Sequence, residues 1–598
     1  MSYVIETQGL TREFGERKAV DGLGIQVKAG EVFGLLGPNG AGKTTTIRML
    51  TTLLAPSGGR ALVCGYDVSR EAAQVRRRIG YVSQEKGVRH LLTARESVEI
   101  EADLHHVSRR ERALRVTEVL EVVGLLADAD RQVAEFSGGM LKRLDLACGL
   151  LQQPEVLILD EPTLGLDVQS RHRIWDHVAR LRRQGVSVLL TTNYLDEADR
   201  LCDRVSIIDA GKEVVAGTPD ALKRAVGADV LHVVTDDVAG LRGIADGRAW
   251  AHRVLETGPR TVNLHVGDAM TALAEVAGAA RERGVALEQI GLQRPTLDDV
   301  FLLHTGRGTG AAADEEQPHT PSSPPAAAPV PRTTTARGAL RGRRQETAAL
   351  LRRWFLQLRR ERLNLVFTLL QPAIWLVFFG SSLRRAVDPG AVADADYISF
   401  MLPGVIAFNA VGAGVSGAVP LLWDKETGYL GRLMSMPLAR SSIVLSRLLF
   451  QMVLGAAQAA LIMLVALALG ARPAAGPVDA VLVLVAVMLL TGTLTAGFIA
   501  LAYGSSSNTT FFAISGFASF PLLFASNAFV ALDAMPGWLA AVARFNPLTY
   551  AIEVIRGLVL DGWRAGLAVP LSVLLLFAVG CLLTLGRLSP ARSGRGLR

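Results

Sequence analysis

The chain has 598 residues, half of them apolar, with a mean hydropathy of +0.30 and a net charge of +7. That length admits several domains, and the hydropathy argues against a wholly soluble protein. The four cysteines (Cys64, Cys148, Cys202, Cys581) are scattered without a C-x-x-C pair, so neither a zinc site nor a disulfide framework is indicated. The basic residues flank apolar runs and form no nucleic-acid stripe, so no nucleic-acid partner is expected.

The N-terminus, Met1-Ser2-Tyr3-Val4, begins a strand and carries no apolar signal segment, so the spans further on are expected to target the chain. Glu31 to Leu36 reads as a short buried strand and Thr44 to Leu54 as a helix. Between them, Gly37-Pro38-Asn39-Gly40-Ala41-Gly42-Lys43-Thr44 matches G-x-x-x-x-G-K-[ST]. Glycines there let backbone N–H groups wrap phosphates, and the helix N-terminus adds a favourable dipole. Lys43 is expected to reach the β- and γ-phosphates of ATP, and the Thr44 hydroxyl, with Thr45 beside it, to face the phosphates and ligate Mg²⁺.

Next, Phe136-Ser137-Gly138-Gly139-Met140 opens a helix over Leu141 to Gln152, a second anion site of the same kind. One phosphate-loop enzyme does not need two. The second is expected to cap the γ-phosphate of an ATP held by another copy. The apolar strand Val156 to Leu159 ends in Asp160-Glu161, where sheet ligands bind. Asp160 suits the Mg²⁺ shell, and Glu161 suits polarising the attacking water, because phosphoryl transfer is mostly positioning and charge stabilisation. Pro162-Thr163-Leu164-Gly165-Leu166-Asp167 follows directly.

In order and spacing, these motifs resemble the ATP-binding cassette (ABC) family over residues 1–217, which implies a P-loop NTPase α/β cassette. The resemblance implies that Phe14 stacks on adenine. It also implies that Gln84, after the strand Ile79 to Ser83, links the γ-phosphate and Mg²⁺ to a membrane domain. Ser137, Gly138, Gly139 and Met140 fit the family signature, and Leu164 to Asp167, with Gly165, Leu166 and Asp167, its dimer-contact loop. One position departs. The family usually carries histidine after the strand Val186 to Leu190, and here Asn193 stands in its place. An asparagine donates a hydrogen bond to a phosphate oxygen but carries no proton. Either positioning suffices, with Glu161 carrying the water chemistry, or hydrolysis is slow. An amide here resembles the daunorubicin-resistance branch, which has glutamine at this place.

Residues 218–306 read as strand, helix, strand, strand, helix, strand, a small ferredoxin-like α+β accessory domain. Its end, Arg294 to Leu302, resembles the tail of daunorubicin-resistance ATPases. It is either a dimerisation or regulatory element or a packing appendage. Residues 307–345, rich in Gly, Ala, Pro, Ser, Thr and Arg, read as a flexible linker joining an ATPase to a permease. Residues 346–362 alternate arginine with bulky apolar residues. They read as an amphipathic helix on the headgroups, or as the positive flank of the first span.

Six apolar runs follow, at about 363–380, 400–421, 443–469, 479–503, 511–532 and 567–586, each near the ~20 residues that cross hydrocarbon. Basic flanks, including Arg352 to Arg362, the loop with Lys425, Arg432 and Arg440, and the tail from Arg587, are expected to place both termini on the cytoplasmic side of the plasma membrane. Arg384 and Arg385 fall in the first outer loop beside Asp388, Asp394 and Asp396. The loop Trp423 to Leu438 resembles the coupling helix of type-2 ABC permeases. Lys425, Glu426, Tyr429 and Leu433 are expected to belong to that helix, and Tyr429, Leu430, Leu433 and Met434 form one apolar face. That face is expected to dock near Gln84, or else to lie on lipid. Asn546 to Gly557 also resembles these permeases, with Glu553 and Arg556 as candidate outer-gate residues or members of a plain amphipathic helix.

A buried charge at bilayer centre costs roughly 2.5–3.5 kcal/mol, and no titrating carboxylate stands at mid-span. Energy is therefore expected from ATP and Mg²⁺, and the cargo is expected to be a hydrophobic small molecule or lipid. One cassette and six spans make half a transporter, so a homodimer is expected. Rival expectations are export of a lipid-linked glycan and an ATP-gated sensor with weak hydrolysis.

Overall fold

The computed structural model describes residues 3–84, 91–226, 229–248, 250–267, 269–293, 296–305, 336–383, 397–471, 476–505, 507–528 and 532–588. The expected charged outer loop at 384–396, the expected linker as far as residue 335 and the tail beyond 588 lie outside them.

The N-terminal part is built on two sheets. An antiparallel one contains Tyr3–Phe14, Arg17–Leu23, Gln26–Lys28, Gly58–Val63 and Tyr66–Asp67. The other has six strands in the order Lys212–Gly217, Arg204–Asp209, Val32–Leu36, Ser187–Thr192, Val156–Asp160, Ile79–Val82. All its pairings are parallel except the edge pair Lys212–Gly217 with Arg204–Asp209. Val32–Leu36, Val156–Asp160 and Ser187–Thr192 are buried at every position, as apolar parallel strands covered on both faces must be. The order matters more than the count. It lays the C-terminal ends of four strands side by side, and each runs into a segment singled out by sequence: Gly37–Lys43, Asn193, Glu161 and Gln84.

The helix after the phosphate loop spans Lys43–Leu50 and stops four residues before the expected Leu54. Thr52 takes a φ of 63°, and the Leu53 and Leu54 N–H groups both return to the Arg48 carbonyl, which closes the end. The helix opened by Ser137 spans Gly138–Leu150.

Residues 229–293 form a four-stranded antiparallel sheet in the order Ala251–Gly258, Thr261–Val266, Asp229–Val234, Gln289–Gln293. The helices Val238–Ala245 and Ala269–Arg283 share its core through Leu241, Ala245, Ala272 and Val276. The following helix, Leu297–Thr305, leaves that layer. Its Leu297, Val300 and Phe301 are buried in the cassette core with Leu195, Ala198 and Leu201.

The C-terminal part is helical. Among the described residues, four helices are long and apolar enough to cross a membrane: Met401–Glu426, Arg440–Ala468, Pro477–Gly504 and Ala565–Leu585. Arg362–Leu383 and the shorter apolar Asn508–Phe524 accompany them. Small residues permit close packing, as membrane helices require: Gly417 lies against Thr495, and Gly455 against Thr491. Of the polar residues within these helices, Asn409 donates to Gln458 Oε1 at 2.9 Å and Gln451 to the Ala413 carbonyl at 2.6 Å. They join helix to helix. Pro420 has no N–H to offer one turn back. Arg447, which no sequence motif marks, donates instead to the Ser416 and Gly417 carbonyls at 3.0 and 2.8 Å.

Candidate nucleotide site and its junction with the membrane part

The phosphate loop is a cradle only glycine fits. A Cβ on Gly37 would run into the Ile208 carbonyl oxygen, and one on Gly42, at φ 104°, into that of Ala19. Lys43 is buried and curls back on the loop. Its Nζ donates to the carbonyls of Gly37 at 2.8 Å and Pro38 at 3.1 Å, and to Asn193 Oδ1 at 2.6 Å. Glu161 Oε1 lies 3.8 Å from the same ammonium. Asn193 Nδ2 donates to Asn39 Oδ1 at 3.1 Å, and Gln84 Nε2 to Glu161 Oε2 at 3.0 Å. Lys43, Asn39, Asn193, Glu161 and Gln84 thus form one hydrogen-bonded cluster at the strand ends.

Glu161 is held in an uncommon left-handed conformation, φ 46°. Its N–H donates to the Thr191 carbonyl at 3.1 Å and the Thr191 hydroxyl at 3.0 Å. Such backbone strain persists where surroundings over-determine it, as at functional sites. Burial pushes both Asp160 and Glu161 above the usual carboxylate range, with Lys43 among the charges opposing it. Burial pushes Lys43 below the ordinary ammonium value, against the pull of Glu161 and Asp160.

Asp160 Oδ1 accepts from the Thr191 hydroxyl at 2.6 Å, while Oδ2 is buried without a hydrogen-bond partner among the described residues. An orphaned carboxylate oxygen fits a hard cation. Mg²⁺ takes oxygen ligands and is usually held by one or two carboxylates together with substrate phosphates. Thr44 and Thr45 are half-buried in the first turn after Lys43.

The remaining sequence-predicted residues are placed elsewhere. Phe14 is 40% exposed, with the Arg12 guanidinium 4.7 Å from its ring centroid. Ser137 caps its helix, accepting from Met140 N at 3.3 Å. Gly139 packs so closely on Ser170 that a Cβ would collide with the hydroxyl, and Leu166 lies near Gly138. Asp167 caps the next helix by accepting from Ser170 N at 2.9 Å, and Gly165 sits at φ 71°. Ser137 to Met140 and Gly165 to Asp167 therefore sit together as a second unit.

The loop after the first long membrane helix holds the main surprise. Gly428, at φ 74°, breaks the chain direction. Lys425 and Glu426 accordingly end the long helix, and the short helix is Tyr429–Ser435 alone. Every one of its residues is buried. Tyr429, Leu430, Leu433 and Met434 share a core with Leu92, Ile100 and Leu104 of the cassette, beside the strand that leads to Gln84. Its position in the sequence makes Arg432 a flanking membrane charge. Instead it is enclosed, paired with Asp145 of the signature helix and, at 3.0 Å, with Glu101 of Ala94–Leu104. Nearby, His105 is buried and its pKa falls to about 4, because burial and then Arg432 disfavour its cation.

The helix before the first span also differs from expectation. It runs Ala336–Arg360, so it begins within the segment that composition marks as linker. Three of its arginines pair with protein carboxylates: Arg352 with Glu99 at 2.7 Å, Arg360 with Glu96 at 2.8 Å, and buried Arg353 with Asp424 at 2.6 and 2.8 Å. Periodicity shows an amphipathic helix but cannot say whether lipid or protein meets its charged face. Glu553 and Arg556 lie on the helix Pro547–Leu560, where Arg556 Nη2 donates to the Asn527 carbonyl at 2.9 Å.

Comparison with known proteins agrees with this architecture. Residues 20–164 match the ABC transporter family model, and residues 345–560 match that of the ABC-2 type transporter. The chain is similar to the daunorubicin resistance ATP-binding protein DrrA2 of Streptomyces coeruleorubidus. The two are 46% identical over 314 residues, covering 51% of this chain and 96% of that one. It is also similar to the Nod factor export ATP-binding protein I of Paraburkholderia xenovorans, at 40% over 305 residues, 51% of this chain and 97% of that one. Among solved structures, an ATP-binding subunit of an ABC transporter aligns at 29% identity over 37% of this chain and 92% of that one, with a TM-score of 0.35. The chain belongs to the ATP-binding cassette transporters, in the daunorubicin-resistance branch, with the ATPase and the type-2 permease fused on one polypeptide. It is a membrane protein whose ATP hydrolysis is coupled to transport.

Proposed function

We propose that this chain is one half of a homodimeric exporter that expels hydrophobic or amphipathic compounds, such as a drug, antibiotic or lipid-like natural product, across the plasma membrane. The observation that carries the reading is the burial of Tyr429–Ser435 in the cassette beside the strand of Gln84, which makes ATP site and membrane helices one mechanical unit. Relatives named for daunorubicin resistance support the cargo class.

In this reading residues 1–217 are the cassette, 218–306 an accessory domain, 307–345 a linker and 363–598 a permease of six spans, with both termini cytoplasmic. Lys43 and the loop N–H groups hold the phosphates, and Phe14 holds the adenine. Thr44, Gln84 and Asp160 hold Mg²⁺, which supplies charge neutralisation at the phosphates when bound. Glu161 polarises the attacking water, and Asn193 positions the γ-phosphate by its amide. Ser137 to Met140 and Gly165 to Asp167 complete the partner's site. Cassette closure moves the coupling helices, and cargo leaves past Glu553 and Arg556. A second reading, an ATP-gated sensor with weak hydrolysis, is favoured by one observation: Asn193 already occupies Lys43.

The deciding experiment is MgATP hydrolysis by the reconstituted chain beside Glu161→Gln, with daunorubicin and a panel of amphipathic compounds. Turnover that vanishes in the variant and rises with some compounds supports the exporter. Equal silence of both proteins, with ATP still bound, supports the sensor.

A further inference from the structure

The hydrogen bonds that reach Glu161 do not end at Gln84. While the Gln84 side chain donates to Glu161, its backbone is held from behind. The buried Lys142 Nζ donates to the carbonyls of Ser83 and Gln84, both at 3.0 Å. Lys142 stands on the signature helix, two residues after Met140. Asp145 follows three residues later, and positions i and i+3 share a helix face. Asp145 is also buried and is gripped by Arg432 of the coupling helix, which donates further to the Asp145 carbonyl at 3.3 Å and to Glu101 at 3.0 Å. One rigid helix therefore carries, on one face, the cation that holds Gln84 and the anion that holds the permease. Lys142, Asp145, Glu101 and Arg432 are buried, and hydrogen bonds linked in a low-dielectric interior polarise one another.

We infer that Lys142 is a positioning residue: from the signature helix it sets the reach of Gln84 to Glu161 according to where Arg432 holds Asp145. The inference rests on the reading of Glu161 given above and adds the route by which permease and hydrolysis site sense each other. A displacement of the coupling helix moves Asp145, and with it Lys142 and the Gln84 backbone. Lys43 and its phosphate cradle stay where they are. Coupling then acts mainly on turnover and less on ATP affinity, which Lys43 and the loop N–H groups carry.

The test uses the full chain in liposomes. Lys142→Met and Lys142→Arg are compared with wild type for MgATP hydrolysis. In the Glu161→Gln background, hydrogen exchange of residues 429–435 is followed with and without ATP. Lys142→Met should lower kcat about tenfold while KM for ATP stays within about twofold, and Lys142→Arg should recover most of kcat. The ATP-dependent change in exchange at 429–435 should vanish with Lys142→Met although ATP still binds. A retained kcat, an equal fall in both variants, or an undiminished ATP response at 429–435 overturns the inference. If Lys142→Met does not fold, Lys142→Gln, which keeps a donor but loses the charge, takes its place; the same results then support or overturn the inference. Failure of the catalytic reading shows separately, as wild-type hydrolysis that Glu161→Gln leaves intact.

Discussion

At the scale of single residues, Glu161 combines a strained backbone, φ 46°, with a carboxylate that burial pushes upward in pKa. The sign of the pH effect follows. In the role proposed for Glu161 the water-polarising form is ionised, so activity should be lost as pH falls through a value above glutamate's ordinary 4.5. A raised folded pKa also means that the native state binds this proton more tightly than the unfolded chain does. Acid therefore relieves a stability cost at this residue while it removes activity. The acid limb of the kcat profile should lie above the ordinary glutamate range, with circular dichroism unchanged across it. A limb at or below that range would detach Glu161 from the rate. Motif spacing names Lys43, Glu161 and Gln84. It could not show that Asn193 links Lys43 to Asn39, because these contacts cross 150 or more residues of chain.

At the scale of elements, a buried ion pair joins the helix Ala336–Arg360 to the end of the long helix Met401–Glu426, just ahead of the short helix Tyr429–Ser435. Arg353 clamps Asp424 with two hydrogen bonds and lies 4.3 Å over the Tyr429 ring. Removing one partner of such a pair leaves an uncompensated charge and costs about 3–5 kcal/mol, whereas replacing both by apolar residues is often near neutral. Arg353→Met alone should lower the unfolding midpoint sharply, and Arg353→Met with Asp424→Leu should recover most of the loss. Equal melting of single and double variants would show that the clamp contributes little. The sequence displayed Arg353, Asp424 and Arg432 as ordinary charges near membrane ends. Nothing local distinguishes a charge that faces headgroups from one enclosed by another domain.

At the scale of the whole molecule, the cassette and the helical part meet through an apolar core and several ion pairs: Leu92, Ile100 and Leu104 against Leu430 and Leu433, with Glu96, Glu99, Glu101 and Asp145 each facing an arginine. Burial of this kind does not need a covalent link to persist, since apolar area contributes roughly 25 cal/mol per Å² removed from water. Co-expressed pieces 1–310 and 331–598 should therefore co-purify and retain ATP hydrolysis. Arg432→Glu, which sets like charges against Glu101 and Asp145, should separate them. Pieces that fail to co-purify even with Arg432 intact would show that the linker, not the interface, holds the halves together.

The sequence by itself determined the family, the P-loop cassette and the presence of a type-2 permease. Phosphate binding demands glycines and a lysine at fixed spacing, and hydrocarbon demands runs of fixed length. It also exposed candidate ATP residues at strand ends, where Gly37, Gln84, Glu161 and Asn193 follow Val32–Leu36, Ile79–Val82, Val156–Asp160 and Ser187–Thr192. Only the tertiary structure decided what the charges between the two halves do. The strand order set Gly37–Lys43, Asn193, Glu161 and Gln84 side by side, and the docking of Tyr429–Ser435 put Arg432 between Glu101 and Asp145. Those partners lie 287 to 331 residues from Arg432 in the chain. A buried ion pair is a property of two surfaces meeting, and no local pattern records which surfaces will meet.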